Sequence, residues 1–244
     1  MLITRIRPVE FTPGIPGYQG FSQPLPFRPG QRAWVPWIEA PGVGLIALRE
    51  FVGLAEQELV FARGPWRCRI PSPFVRRKCA TLGLQAGSPV LIPWANGSRY
   101  GRIVGFGRGD QVLVQHAGAC SVEHSELSLY ELIPLDGSAH FGAPVIYRTA
   151  AGWGWGQYLS SAGGRSCWLL SEGEVREKAS TEVRPMSPHR FRPGQRVSAL
   201  CDGAMRRAAV LDVSPGALSY RLAFDHSSRA RMCGYAQLCS PLHC

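Results

Sequence analysis

Phe27-Arg-Pro-Gly-Gln-Arg32 returns residue for residue as Phe191-Arg-Pro-Gly-Gln-Arg196. Proline presets φ near −65° and glycine accepts positive φ, so each Pro-Gly step turns the chain into the next segment. That segment is alternately apolar in both copies, Ala33–Trp37 in one and Val197–Cys201 in the other. Related starts stand at Leu84–Pro93 (LQAGSPVLIP) and Phe141–Tyr147 (FGAPVIY), each with a glycine two or three residues ahead of a strand-like run. Four such starts predict four tandem repeats.

The repeats share their continuation. In the second, Asn96–Gly97 is a hairpin signal, followed by strand patterns at Tyr100–Phe106 and Val112–His116 and a closing run at Leu127–Ile133. The fourth runs Arg207–Val213, Tyr220–Phe224 and Met232–Leu238; the third runs Gly152–Leu159, Ser166–Leu170 and Val183–Met186. The first is the loosest: Gly53–Arg63 reads as carrying a helical turn and Pro65–Lys78 as irregular. With 28 glycines and 20 prolines in 244 residues, long helices are disfavoured. Short strands between frequent turns mean small barrels or sandwiches. The expected organisation is an extended Pro/Gly-rich arm over 1–26 and repeats over 27–80, 81–136, 137–189 and 190–244.

The order of glycine, strand, turn, aromatic-led strand, turn and strand resembles Tudor-like domains. Val90, Tyr100, Arg102 and Val104 resemble the Tudor V-x-A…W-Y-R-A-x-V run, and Tyr220–Asp225 (YRLAFD) is similar to the Tudor strand ending in Phe-Asp. The resemblance implies an all-β chain of four tandem Tudor/SH3-like β-barrels. It also raises the question of an aromatic cage, in which cation–π attraction holds a methylated cation. Trp94 and Tyr100 in the second repeat, and Tyr147, Trp153, Trp155 and Tyr158 in the third, are the candidate aromatic surface. Two of these tryptophans alternate with glycine (GWGWG) and can equally pack against a neighbouring repeat.

No catalytic constellation is legible. The six histidines lack metal-ligand spacing, no G-x-S-x-G elbow or P-loop is present, and Gly105–Gly109 (GFGRG) links two strands and does not open a helix. The eight cysteines contain no C-x-x-C pair and read as small apolar fillers. The expectation is a non-enzymatic protein with no metal, no cofactor, no small-molecule substrate and no membrane span. The formal net charge of +10 calls for an acidic partner, either nucleic acid or an acidic protein surface. The basic start of the chain leaves a mitochondrial presequence open, although prolines soon interrupt it.

Within the arm, Ile15-Pro-Gly-Tyr-Gln-Gly-Phe-Ser-Gln-Pro24 resembles the I-P-G-Y-x-G-F/H-x-P motif of ciliary and flagellar microtubule inner proteins. Pro16, Gly17, Tyr18, Gly20 and Phe21 match it; Gln19 stands where threonine is usual, and the final proline comes late. The resemblance implies docking on tubulin beside other axonemal proteins, in a cilium or flagellum. Tyr18 and Phe21 would serve as rigid anchors on a proline-stiffened segment. A chromatin- or RNA-associated adaptor in the nucleus or mitochondrion, including one on an organellar ribosome, and a methyl-peptide reader are the competing readings.

Overall fold

A computed structural model describes residues 8–9, 27–40, 43–55, 58–77, 84–94, 97–117, 122–135, 138–150, 152–186, 190–202, 204–214 and 218–241. Its regular structure is β, joined by turns and single 3-10 turns. The first sheet holds β1 (Pro8–Val9), β2 (Arg32–Ala40), β3 (Val43–Ala55), β4 (Glu58–Arg63), β5 (Trp66–Ile70) and β6 (Arg76–Arg77). The second holds β7 (Pro89–Trp94), β8 (Gly97–Phe106), β9 (Gln111–Ala117), β10 (Val122–Ser128) and β11 (Ile133–Pro134). The third holds β12 (Pro144–Thr149), β13 (Gly152–Ala162), β14 (Ser166–Ser171), β15 (Glu174–Ala179) and β16 (Val183–Pro185). The fourth holds β17 (Arg196–Cys201), β18 (Ala204–Val213), β19 (Ser219–Phe224), β20 (Ala230–Gly234) and β21 (Leu238–Cys239).

One plan serves all four. Four strands run as an antiparallel meander, a 3-10 turn comes next, and a short last strand returns to pair antiparallel with the first. The repeated start explains itself in hydrogen bonds. The turns Arg28–Gln31, Gln85–Ser88, His140–Ala143 and Arg192–Gln195 each close by an N–H to C=O bond, with Gly30, Gly87, Gly142 and Gly194 at φ of 87°, 91°, 84° and 86°. Only glycine takes that conformation without strain. The glutamine of the hexapeptide has its own task, since Gln31 and Gln195 accept bonds from the N–H of Arg28 and Arg192. The leading phenylalanine plugs the curl of its sheet: Phe27 lies against Phe51 and Phe61, Phe191 against Tyr220.

Each second strand carries a register shift against the third, at Phe51/Gly53, Ile103/Gly105, Tyr158/Ser160 and Val210/Asp212. A bulge bends its strand and sharpens the twist. In the first and fourth sheets the meander curls far enough that its first and fourth strands approach each other. The first repeat is therefore as regular as the others, against the sequence expectation. Leu59 and Phe61 on β4 and Cys68 and Ile70 on β5 alternate inward, and the Gly64–Pro65 turn separates two strands too short for the pattern to stand out. β15 has no counterpart in the sequence expectation, because it is a charged edge strand with little buried surface.

The four sheets close a ring in the order first, second, fourth, third. The first meets the second where β3 crosses β7 and β8, and a Cβ on Gly97 would stand 2.8 Å from Leu45. It meets the third at Gly44, whose missing Cβ lets Gly173 approach so closely that any side chain there would clash at 2.7 Å. The third and fourth share Ile146, Met186 and Cys239, with Trp153, Trp155 and Met205 packed around them. The first sheet's core is not private, since it runs on through Leu91 and Ile133 of the second repeat and Phe141, Leu159 and Leu170 of the third.

Candidate functional site

Pro16, Gly17, Tyr18, Gly20 and Phe21 lie outside the described residues. Just ahead of them, Pro8–Val9 adds to the first sheet as β1, parallel to β5 through Pro8↔Arg67 and Val9↔Cys68.

The aromatic candidates do not converge on one cage. Tyr100 sits where three repeats meet. Its hydroxyl receives a bond from the buried amide of Gln157 (2.9 Å) and lies 3.5 Å from the Gly142 carbonyl, and its ring meets Tyr235 edge-on. Burial pushes the Tyr100 phenol well above its ordinary pKa. Tyr235 completes the junction by donating to the Gly101 carbonyl at 3.1 Å, with the Arg102 guanidinium 4.7 Å from its ring centre. Tyr147 is core: its hydroxyl bonds Ser171 (2.9 Å), which in turn donates to the Trp155 carbonyl. Trp153 and Trp155 pack toward the fourth sheet, and Tyr158 borders the third sheet's own core.

Three of these six rings, Trp94, Trp153 and Tyr147, already carry a cation from the same chain. Arg99 lies 4.0 Å over Trp94, Arg148 and Arg184 lie 4.1 Å and 5.2 Å over Trp153, and Lys178 lies 5.3 Å over Tyr147. The same arrangement holds Arg49 over Trp37 in the first sheet, at the position that corresponds to Trp94. A methylated lysine would have to displace a guanidinium to reach such a face, at a cost comparable with the ~1–2 kcal/mol it would gain there.

Trp94 also covers His116, with ring centres 4.6 Å apart. His116 is fully buried; Nε2 bonds Ser125 Oγ at 2.9 Å, and Nδ1 stands 3.8 Å from Glu123. The three residue types could serve acyl transfer, but 3.8 Å exceeds hydrogen-bond length and Ser125 faces the ring from within a continuous β-ladder. A structural network describes it better. Among the described residues five cysteines are free thiols, all buried; burial raises Cys68 to about 12 and Cys233 and Cys239 each to about 11, the reverse of a reactive thiol. Among the described residues no three His, Cys, Asp or Glu side chains cluster as a metal site would require, and no helix is long and apolar enough to cross a membrane.

The feature with most consequence for binding is the division of charge. Residues 27–80 carry nine basic and four acidic side chains, net +5, and residues 190–244 carry eight and three, also net +5. Residues 81–136 come to −2 and 137–189 to +1. Of the 27 basic residues 25 are arginine. The two basic sheets sit across the ring from each other, separated by the two near-neutral ones. Counting charge repeat by repeat exposes this division from the amino-acid sequence; the excess for the whole chain conceals it. The junction that Arg102, Gln157 and Tyr235 form around Tyr100 had no such signal, since its members come from three repeats.

No family model and no curated protein sequence matches the chain.

Proposed function

We propose that this is a non-enzymatic docking protein built of four Tudor/SH3-like barrels, which binds the acidic tubulin lattice inside an axonemal microtubule. The barrel reading is supported by the strand plan, with a meander of four, a 3-10 turn and a fifth strand returning to the first. The observation that carries the docking reading is the pair of +5 sheets on opposite sides of the ring. An acidic lattice attracts both, and guanidinium forks match carboxylates two bonds at a time. The Pro16–Phe21 segment supplies the specific anchor, with Tyr18 and Phe21 entering pockets on the partner.

Co-sedimentation with salt-extracted axonemal doublets tests the proposal. Retention should fall steeply between about 50 and 300 mM salt, and Tyr18→Ala with Phe21→Ala should release the protein at salt that the parent withstands. Retention that ignores both changes would refute the anchor. The arginine excess also favours a second reading, a chromatin or RNA adaptor, because the same fork pairs with phosphate. That reading requires nucleic-acid affinity with a strong salt slope, and no binding at low ionic strength removes it.

A further inference from the structure

Two guanidinium groups meet at the turn that opens the second repeat. Arg102 comes from β8 and donates to the Gly87 carbonyl at 3.2 Å. Arg190 comes from the start of the fourth repeat, and its Nη2 would stand 3.3 Å from a Cβ on Gly87. Gly87 carries none, so the second guanidinium can close on the turn. The fold holds both arginines in place. Arg102 lies 4.7 Å over the Tyr235 ring, and Tyr235 ties the same strand through the Gly101 carbonyl. Arg190 directly precedes Phe191, whose N–H bonds the Tyr220 hydroxyl and whose ring lies against Tyr220.

The arrangement is electrostatically one-sided. Arg102 is 4 % exposed, whereas Arg190 reaches solvent. Burial and the Arg190 guanidinium both lower the Arg102 pKa, as expected of a buried cation beside a like charge, while Tyr235 and Tyr220 act the other way. The two residues directly opposite Arg102 in the sheet, Pro89 on β7 and Gln115 on β9, carry no charge. Among the described residues Arg190 makes no hydrogen bond or ion pair. An exposed arginine with room to turn into water lies instead against a turn that already holds a guanidinium. An anion between the two would replace their repulsion with two attractions.

We propose that this junction binds a phosphate group, held between Arg190 of the fourth repeat and Arg102 of the second, and that the bound group pins these two sheets together. Chemistry selects the ligand. One guanidinium fork occupies both oxygens of a carboxylate, whereas a tetrahedral phosphate has oxygens for two forks. Size selects it as well, because so little of Arg102 is exposed that only a small group reaches it. The site stands apart from the docking reading, since it lies between two sheets and not on an outer face.

Isothermal titration of the full chain with inorganic phosphate, against chloride of matched ionic strength near neutral pH, tests the site. Phosphate should bind saturably, and Arg190→Gln should weaken it about tenfold or more. Arg190→Lys keeps the charge but loses the fork and should fall between parent and Arg190→Gln. Arg192→Gln, an equal loss of charge two residues along, should stay within about threefold. Melting curves supply a second readout. In chloride alone Arg190→Gln removes the repulsion and should melt no lower than the parent; added phosphate should then raise the parent's midpoint more than the variant's. Phosphate also stabilises folded chains by exclusion from their surface, and that part is common to both. Glycerol 3-phosphate separates the sources: affinity equal to inorganic phosphate assigns the site to the phosphoryl group of a larger molecule, and no affinity assigns it to the free ion. The proposal is overturned if phosphate does not saturate the parent, if Arg190→Gln leaves affinity and midpoint shift unchanged, or if that variant melts lower in chloride alone.

Discussion

The second and third sheets use their cations internally, whereas the fourth leaves most of its own facing solvent. In the inner pair Arg99, Arg148, Arg184 and Lys178 cover aromatic rings, Arg102 lies over Tyr235, and Arg176 pairs with Glu172 and Glu174. In the fourth sheet Arg196 and Arg231 pair with carboxylates, and Arg190, Arg192, Arg206, Arg221 and Arg229 are exposed. One strand plan thus supports two kinds of surface. Cations stacked on rings and bonded to carboxylates hold the ring of sheets together; cations left in solvent at net +5 create a field that acts on other molecules.

The largest test of that contrast asks whether the basic sheets are separate units at all. Trp34 is buried in a core that extends from the first sheet into the second and third repeats. Trp34→Ala should cost about 3–5 kcal/mol and lower one cooperative unfolding transition for the whole chain. Two resolved transitions in calorimetry, with only one displaced, would show the first sheet to be independent.

Next comes the junction. Tyr100→Phe removes the acceptor of the buried Gln157 amide and should cost about 1–2 kcal/mol. Adding Gln157→Leu should recover part of that loss, because neither group is then left buried without its partner. Denaturant midpoints of the two single variants and the double variant measure this coupling; strict additivity would deny it.

Arginine itself supplies a sharper comparison. Arg99→Ala strips a guanidinium from Trp94 and from Glu123 and should cost about 1 kcal/mol, with little effect on binding to acidic partners. Arg221→Ala should leave stability within about 0.5 kcal/mol and weaken such binding. If the two variants exchange these phenotypes, the division between internal and outward cations is wrong.

The smallest effect concerns alkali. Cys68, Cys233 and Cys239 are held protonated by burial, to about 12 in the first case and about 11 in the other two. A thiol whose folded pKa is raised contributes fully below its unfolded pKa of ~8.5 and loses that contribution as pH climbs towards the folded value. Between about pH 7.5 and 9 each should therefore remove a little under ~1 kcal/mol of stability. Cys233→Ala should flatten that slope by one thiol's share, read from melting curves at both pH values; an unchanged slope would show Cys233 to be ionised in the fold.

Much of the repeat plan was legible in the sequence because it is local. A Pro-Gly or Ala-Gly step, a strand of alternating polarity and a hairpin glycine each depend on a few consecutive residues, and each recurs along the chain. Phe27 and Phe191 mark the same structural position in two repeats for that reason. The first repeat's middle strands were harder to see, because Leu59–Phe61 and Cys68–Ile70 offer two inward residues apiece, too few for a period. The use of the aromatics was out of reach. Whether Trp153 faces solvent or the fourth sheet depends on how two repeats are placed, and whether Trp94 is open depends on the rotamer of Arg99. The sequence by itself determined four β repeats, their turns and a charge divided between the first and the last. Only the tertiary structure decided which rings are covered and which arginines remain outside, because those outcomes depend on contacts between residues far apart along the chain.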